Sequence, residues 1–300
     1  MYLVNKKIIN FVKKRVAQMA KVKVVTDSSA QLSDEEVKQY DITVVPLTVM
    51  IDGTVYVERD TINNEQFVPK MLEAKDLPKT SQPPVGKFIE AFDEAGKDGS
   101  QVLCINMLEA ISGTVHAAEQ AATLSKSNVT VIDSTFTDRG LSFQVLAAAK
   151  LAQEGADLET ILAQIQKIRQ NTKLYLCVMT LDNIVKGGRL HPIAGAITNF
   201  LNLKLGLQVA DGKLKVISKG RGDKSLRKFF GKIIDDMKNT KALKMIGISY
   251  VTETDVLKET VQQLKEAFPD VPLLYRTTSP IIATHVGKGG FALIYYDDPD

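Results

Sequence analysis

The sequence predicts an α/β protein of two units: a three-layer, parallel-sheet (Rossmann-like) unit over residues 22–173 and a two-layer mixed α/β unit over residues 174–300, with residues 1–21 as a basic extension. Three observations predict it. Short apolar or β-branched runs at 22–26, 102–105 and 129–132 each end in a polar, hydroxyl-bearing loop, and the loop leads into a helix-periodic segment. That is a repeated βα pattern, which builds a parallel sheet and crowds the loops at one edge. From Leu174 onward the texture changes to hairpins. Finally, 300 residues at 44% hydrophobic content can bury two cores.

The elements follow in order. Residues 2–20 carry Val4, Ile8, Phe11 or Val12, Val16 and Met19 at helical spacing between lysines and an arginine, a short basic amphipathic helix. It can lie on an anionic membrane surface or pack on the body; alternatively Met19 is the true start. After the first strand, Ser33 opens a helix whose Asp34, Glu35 and Glu36 suit its positive end. Residues 42–51 are one extended run in which Pro46 requires an edge or a bend. Asp52-Gly53 turns the chain into a returning strand at 55–57, a helix covers 63–74, and residues 79–84 form a stiff loop before a helix at 85–95. Ser112-Gly113-Thr114 opens the helix after the 102–105 strand, and helices at 140–154 and 157–170 follow the 129–132 strand. In the second unit a strand at 174–179 precedes Lys186-Gly187-Gly188-Arg189, and residues 194–202 are helical. Asp211-Gly212 joins strands 205–208 and 214–218 in a hairpin. Helices at 223–238 and 253–267 alternate with strands at 245–251, 271–275 and 291–296.

Composition narrows the function. The net charge of +3 comes from residues 1–23, which hold seven basic residues and no acid; the remainder has 31 basic against 35 acidic residues. A mildly acidic body is no nucleic-acid surface. No run of 18 apolar residues spans a membrane, and Lys13, Lys14 and Arg15 break any signal-peptide core. The expected location is cytoplasmic, with peripheral membrane contact through the extension. Cys104 and Cys177 sit in separate apolar runs as buried thiols, and His116, His191 and His285 lack zinc spacing, so no metal is expected.

Four stretches carry candidate chemistry. Ser112-Gly113-Thr114 at a helix start either cradles a small anion on free amides or is an ordinary Ser N-cap. Lys186-Gly187-Gly188-Arg189 offers a turn that a side chain would obstruct and a planar donor fork for a carboxylate or phosphate; otherwise it is a surface turn. His285 stands beside glycines in what reads as a loop and titrates near neutral pH if exposed. Gly220-Arg221-Gly222-Asp223-Lys224-Ser225 lacks P-loop spacing, so Asp223 reads as an N-cap. The first loop, Thr26-Asp27-Ser28-Ser29-Ala30, has no glycine for a dinucleotide. A hydrolytic triad of Ser112, His285 and Asp27 or Asp133 is an alternative, although Ser112 lacks the GxSxG elbow.

Taken together, Thr26-Asp27-Ser28-Ser29, Thr80-Ser81-Gln82-Pro83, Ile111-Ser112-Gly113-Thr114, Asp133-Ser134, Lys186-Gly187-Gly188-Arg189, Arg221-Gly222-Asp223-Lys224 and Thr284-His285-Val286-Gly287 resemble the DegV family of fatty-acid-binding proteins, from about Val22 to about Tyr296. The resemblance implies two α/β domains with an apolar lipid tunnel between or beside them. It implies a long-chain fatty acid as ligand, its carboxylate on Thr80 and Ser112, with Asp27, Ser28, Ser81, Gly113, Thr114, Arg189 and His285 as neighbours. Arg189 and His285 would assist phosphoryl transfer by a separate fatty acid kinase that supplies ATP and Mg²⁺ and feeds phospholipid synthesis; the chain itself would hold no cofactor and have no independent activity. A lipid-sensing module without a kinase is the other non-enzymatic reading. Two departures from the family pattern, Glu109-Ala110-Ile111 with Val115 and Gly287-Lys288-Gly289, bear on the head-group surround.

Overall fold

The computed structural model describes residues 21–189, 203–240 and 242–297. The expected amphipathic helix at 2–20, His191 and the helix expected at 194–202 lie outside the described residues.

Four strands, β1 (Val22–Asp27), β2 (Thr43–Val45), β6 (Gln101–Asn106) and β7 (Val129–Asp133), form a parallel sheet in the order β2-β1-β6-β7. Its residues alternate strictly between two cores, as a strand's period of two demands. Val25, Val102 and Cys104 face α3 (Val85–Ala95) and α4 (Thr114–Leu124) through Phe88, Phe92, Ala117 and Ala121. Val24, Leu103 and Ile105 face α5 (Asp138–Gln153) and α6 (Leu158–Asn171) through Leu141, Val145, Ala148, Ile161 and Ile165. This is the expected three-layer arrangement. Helix α1 (Asp34–Gln39) starts where expected, with Ser33 and Glu36 closing a reciprocal capping box.

The run at 42–51 is two strands rather than one. Pro46 carries no amide proton, so the ladder stops there: β2 stays in the parallel sheet while β3 (Thr48–Ile51) leaves for a three-stranded sheet, β4-β3-β5. Its partners are β4 (Thr54–Val57) and β5 (Lys79–Ser81), with α2 (Asn64–Glu73) between them in sequence. The segment expected as a stiff loop therefore pairs as a strand before Pro83 and Pro84 end it.

The second sheet has six strands in the order β10-β9-β8-β13-β11-β12: β8 (Thr172–Val178), β9 (Lys204–Ala210), β10 (Lys213–Gly220), β11 (Leu243–Tyr250), β12 (Leu273–Thr277) and β13 (Phe291–Asp297). Only β11 and β12 run parallel. The expected hairpin is β9–β10, turning at Asp211 and Gly212, both at positive φ. Helices α8 (Asp223–Met237) and α9 (Asp255–Ala267) cover one face through Phe229, Phe230, Ile233, Leu257 and Leu264. The other face turns Leu174, Leu176, Val178, Leu207 and Val209 toward Leu108, Phe136 and Phe143 of the first unit. Two short helices complete the chain: α7 (Asp182–Lys186), and α10 (Pro280–Val286), where the sequence reads as loop. Pro280 at N1 and Gly287 just past the end, at φ 77°, bound α10. No helix among the described residues is long and apolar enough to cross a membrane.

Candidate functional site: an apolar cavity with a polar end

Between the sheets lies a cavity of about 990 Å³, counting the space that opens to solvent, with walls from all three sheet regions and α10. Leu47, Met107, Leu108, Ile111, Leu174, Leu176, Val209, Leu214 and Ile281 make most of it apolar. Thr80, Ser81, Gln82, Ser112, Arg189 and His285 give it polar wall as well.

Thr80 is held by β5, opposite Val49. His285 arrives from the last turn of α10, and its Nε2 lies 2.9 Å from Thr80 Oγ1. Burial first, then the charge of Arg189, pushes the imidazole down to about 4, so it is neutral at physiological pH. Its Nδ1 is buried with no partner among the described residues. Gly187 explains the closeness of the loop: a Cβ there would stand 2.3 Å from Nδ1 and 2.8 Å from the Asn183 carbonyl. The second glycine, Gly188, has open space but φ 73°, which a side chain resists. Arg189 follows, its Nε donating to the Ile111 carbonyl at 3.2 Å and its Nη1 to the Gly187 carbonyl at 2.8 Å. It is half-buried, and burial lowers its pKa.

Ser112 stands after a 3₁₀ turn (Glu109–Ile111) in extended geometry, its Oγ 2.8 Å from Thr114 Oγ1. It is not the helix N-cap: Gly113 holds that position, and the Thr114 amide reaches Ser112 Oγ only at 3.4 Å. Gly113 packs against Gln82, whose Oε1 would be 2.1 Å from an added Cβ, so the Thr80 and Ser112 segments interlock. Thr114 is fully buried behind them. Ser81, on the wall, donates to the Gln82 carbonyl at 3.3 Å.

Asp27 and Ser28 stand behind the wall. Asp27, fully buried, accepts from the amides of Met107 (2.7 Å) and Ser29 (3.0 Å) and from Asn106 Nδ2 (3.2 Å); burial raises its pKa. Ser28 Oγ accepts from the Leu47 amide at 2.9 Å and donates to Glu58. Glu58 in turn accepts from the Ile281 amide at 2.8 Å, at the start of α10. Burial pushes Glu58 up to about 8. Both residues thus buttress Leu47, Met107 and Ile281, which form the wall. Glu58 sits in a charged run, Glu58-Arg59-Asp60, that reads as a surface turn, and nothing local signals its burial.

The triad does not assemble. His285 bonds Thr80, Ser112 bonds Thr114, Asp27 is committed to amides, and Asp133 Oδ1 accepts from the Thr135 amide at 2.7 Å. Asp223 is the first helical residue of α8, paired with Lys204, while Gly222 occupies the N-cap at φ 67°. Cys104 and Cys177 are buried and unpaired. Among the described residues no three His, Cys, Asp or Glu side chains group to hold a metal ion.

Comparison with known proteins agrees with this architecture. The model of the DegV family, described as uncharacterised protein, matches residues 21–298. A DegV domain-containing protein of Streptococcus pneumoniae is 46% identical over 276 residues, 92% of this chain and 98% of that one. A DegV family protein from Thermus thermophilus, solved as a fatty acid binder, is 28% identical with a TM-score of 0.82, over 93% of this chain and all (100%) of that chain. The fatty acid binding DegV family protein of Streptococcus agalactiae is 26% identical with a TM-score of 0.83, over 93% and 99%. With the family model matched from the first strand to the last, across all three sheets, the chain belongs to the DegV family.

Proposed function

We propose that this protein binds a long-chain fatty acid in the cavity, carboxylate toward Thr80 and Ser112, and presents that carboxylate to a separate ATP-dependent fatty acid kinase. The observation that carries the reading is a largely apolar cavity, open to solvent, whose polar groups include the Thr80–His285 pair, Ser112 and Arg189. Each buried methylene contributes about 0.8 kcal/mol, so a long acyl chain gains on the order of 10 kcal/mol before ordering costs. A carboxylate in such a wall needs convergent donors. With Nε2 protonated, His285 donates to Thr80 Oγ1, and the Thr80 hydroxyl is free to donate to the ligand. Ser112 and the Arg189 guanidinium add donors from the other side. The solved relatives that bind fatty acids support the ligand class.

The kinase partner would carry ATP and Mg²⁺, and the acyl phosphate would enter phospholipid synthesis. Arg189 and His285 are the residues we assign to that transfer: Arg189 as a donor to the phosphoryl group, and His285, whose Nε2 proton is given to Thr80, through the hydroxyl it orients. Ser112 has no base beside it, which speaks against a stand-alone hydrolase.

Mass spectrometry of lipid extracted from the purified protein should find a long-chain acid. After delipidation, Thr80→Ala with Ser112→Ala should bind palmitate at least tenfold more weakly; wild-type affinity in that double variant overturns the carboxylate assignment. Full acyl phosphate formation by a cognate kinase with Arg189→Ala, His285→Ala overturns the transfer assignment. A protein that binds fatty acid and supports no kinase from its own cell is the lipid sensor instead.

A further inference from the structure

The cavity has a second polar station, away from the Thr80–His285 pair. Thr137, Asp138, Ser249 and Thr278 all line it, and each is at most 9% exposed. Asp138 is the first residue of α5, at φ 56°, and its carboxylate accepts from the Arg139 amide at 2.7 Å, from the Thr278 hydroxyl at 2.7 Å and from the Ser249 hydroxyl. Those bonds tie α5 to the ends of β11 and β12 and account for Asp138. They do not account for Thr137. A threonine at a helix N-cap ordinarily bonds its oxygen to the helix's own amides. Thr137 holds that position on α5 and makes no such bond. Its Oγ1 is buried without any hydrogen-bond partner. A buried hydroxyl left unpaired is destabilising, so its presence on a ligand cavity wall calls for a polar atom of the ligand.

Helix α10 supplies the scale. Thr278 precedes it, His285 lies in its last turn, and Ile281 and Ile282 between them line the same cavity. Five of the seven steps from Thr278 to His285 are helical at 1.5 Å rise and the two before Pro280 are extended, so the two stations lie about 10–14 Å apart, or roughly eight to eleven carbons of an extended acyl chain. Thr137 offers a hydroxyl donor, and the Ser249 and Thr278 oxygens, having donated their protons to Asp138, keep lone pairs to accept. One donor beside acceptors matches an alcohol, which both gives and takes a hydrogen bond.

We infer that the cavity takes acyl chains bearing a mid-chain hydroxyl, on about the eighth to twelfth carbon, and that Thr137 with Ser249 and Thr278 reads that oxygen. This rests on the fatty acid reading above. The test uses delipidated full-length protein and positional isomers of hydroxyoctadecanoate, which share one polarity and differ only in where the oxygen falls. Competition read by native mass spectrometry should favour one mid-chain isomer about five- to tenfold over those hydroxylated near the carboxylate or the methyl end, the value of one hydrogen bond. Thr137→Val, which keeps the shape, should bring all isomers within about twofold, and Thr137→Ser should restore the preference. Isomers that bind alike to wild type, or a preference that survives Thr137→Val, overturn the station while leaving octadecanoate binding intact. A wild-type protein that binds no octadecanoate overturns the fatty acid reading, and this inference with it.

Discussion

Gly187→Ala is a small change with a large consequence for the Thr80–His285 pair. Gly187 has φ −77°, so alanine meets no backbone strain there. What it meets is the imidazole: the new Cβ would stand 2.3 Å from His285 Nδ1, where ordinary contact begins at 3.4 Å, so about 1.1 Å must be found. The Asn183 carbonyl, 2.8 Å away, limits any retreat of the methyl. Nor can the ring advance on Thr80, already 2.9 Å from Nε2, so it swings aside and that bond is lost. Overpacking of this kind costs about 1–3 kcal/mol of stability. Losing a donor pair aimed at a carboxylate costs about 1.5–3 kcal/mol of binding, or roughly ten- to a hundredfold in Kd. Urea unfolding separates the first effect, and palmitate titration of the delipidated protein reads the second. Gly155→Ala controls for glycine loss as such: φ is 83° there, with no atom within 4 Å of the added methyl. It should lower stability by about 1–2 kcal/mol and move palmitate affinity less than threefold. A folded Gly187→Ala protein that binds palmitate within threefold of wild type refutes the reasoning, because the imidazole would then have no part in holding the ligand.

Three further outcomes follow from the buried ionisable groups. His285 holds its proton only below about 4, against an ordinary 6.5, so as pH falls the unfolded chain takes the proton first; its stabilising contribution is intact above 6.5 and lost between 6.5 and 4, at most about 3 kcal/mol, and the difference between urea midpoints at pH 7 and pH 5 should shrink in His285→Gln. Glu58 works in the opposite sense: its carboxyl is pushed up to about 8 from 4.5, the folded protein keeps the proton, and stability falls as pH rises from 4.5 to 8. Glu58→Gln should therefore unfold at higher urea than wild type at pH 8, and an unchanged pH profile would count against it. Arg139→Ala leaves Glu36 partly buried without its two guanidinium bonds of 2.9 and 2.6 Å and should cost about 3 kcal/mol by chemical denaturation; a loss below about 1 kcal/mol would mean the pair is solvated.

Local pattern carried the sheets and helices far better than the cavity. Strand parity, the Ser33–Glu36 capping box and the Asp211-Gly212 turn are short-range signals, and the structure honours them. The run at 42–51 misled because Pro46 was legible as a break while the change of sheet depends on where β5 lies. β5 has only three residues, Lys79–Ser81, too few for alternation to register, and it exists because β3 offers it a ladder. Helix α10 did have a signal: Ser279 before Pro280, with Gly287 at the end, is the start-and-stop asymmetry of a helix. Ser112, Arg189 and His285 were legible as separate candidates from their own stretches, and only the resemblance to a family joined them to Thr80 in one site. That Thr80 touches His285, 205 positions away, is written in no segment; it follows from where β5 and α10 dock.

That docking gives the Thr26-Asp27-Ser28-Ser29 loop a physical role behind the cavity wall. A helix of seven residues does not stand alone in water. Every end of α10 is accordingly held by another part of the chain. Glu58, itself bonded by Ser28, takes the Ile281 amide at its start, and Asp138 takes the Thr278 hydroxyl just before it. At its far end Asn183 Nδ2 donates to the Thr284 carbonyl at 2.8 Å, and Thr80 meets His285. Ser28 and Asp27 therefore act on the cavity through Glu58, Leu47 and Met107 rather than by touching what fills it. Substitutions in that loop should loosen α10 as a body, moving the Thr80–His285 end and the Asp138 end together. Substitution at Thr80 should disturb the His285 end alone, and substitution at Asp138 the Thr278 end alone. Amide hydrogen exchange over residues 280–286 separates the two: faster exchange along the whole helix in Ser28→Ala, against faster exchange confined to the His285 end in Thr80→Ala. Equal protection of α10 in both variants would mean that the helix is held by its apolar packing on β3 and α2, and that the buried acids beneath it are incidental to the site.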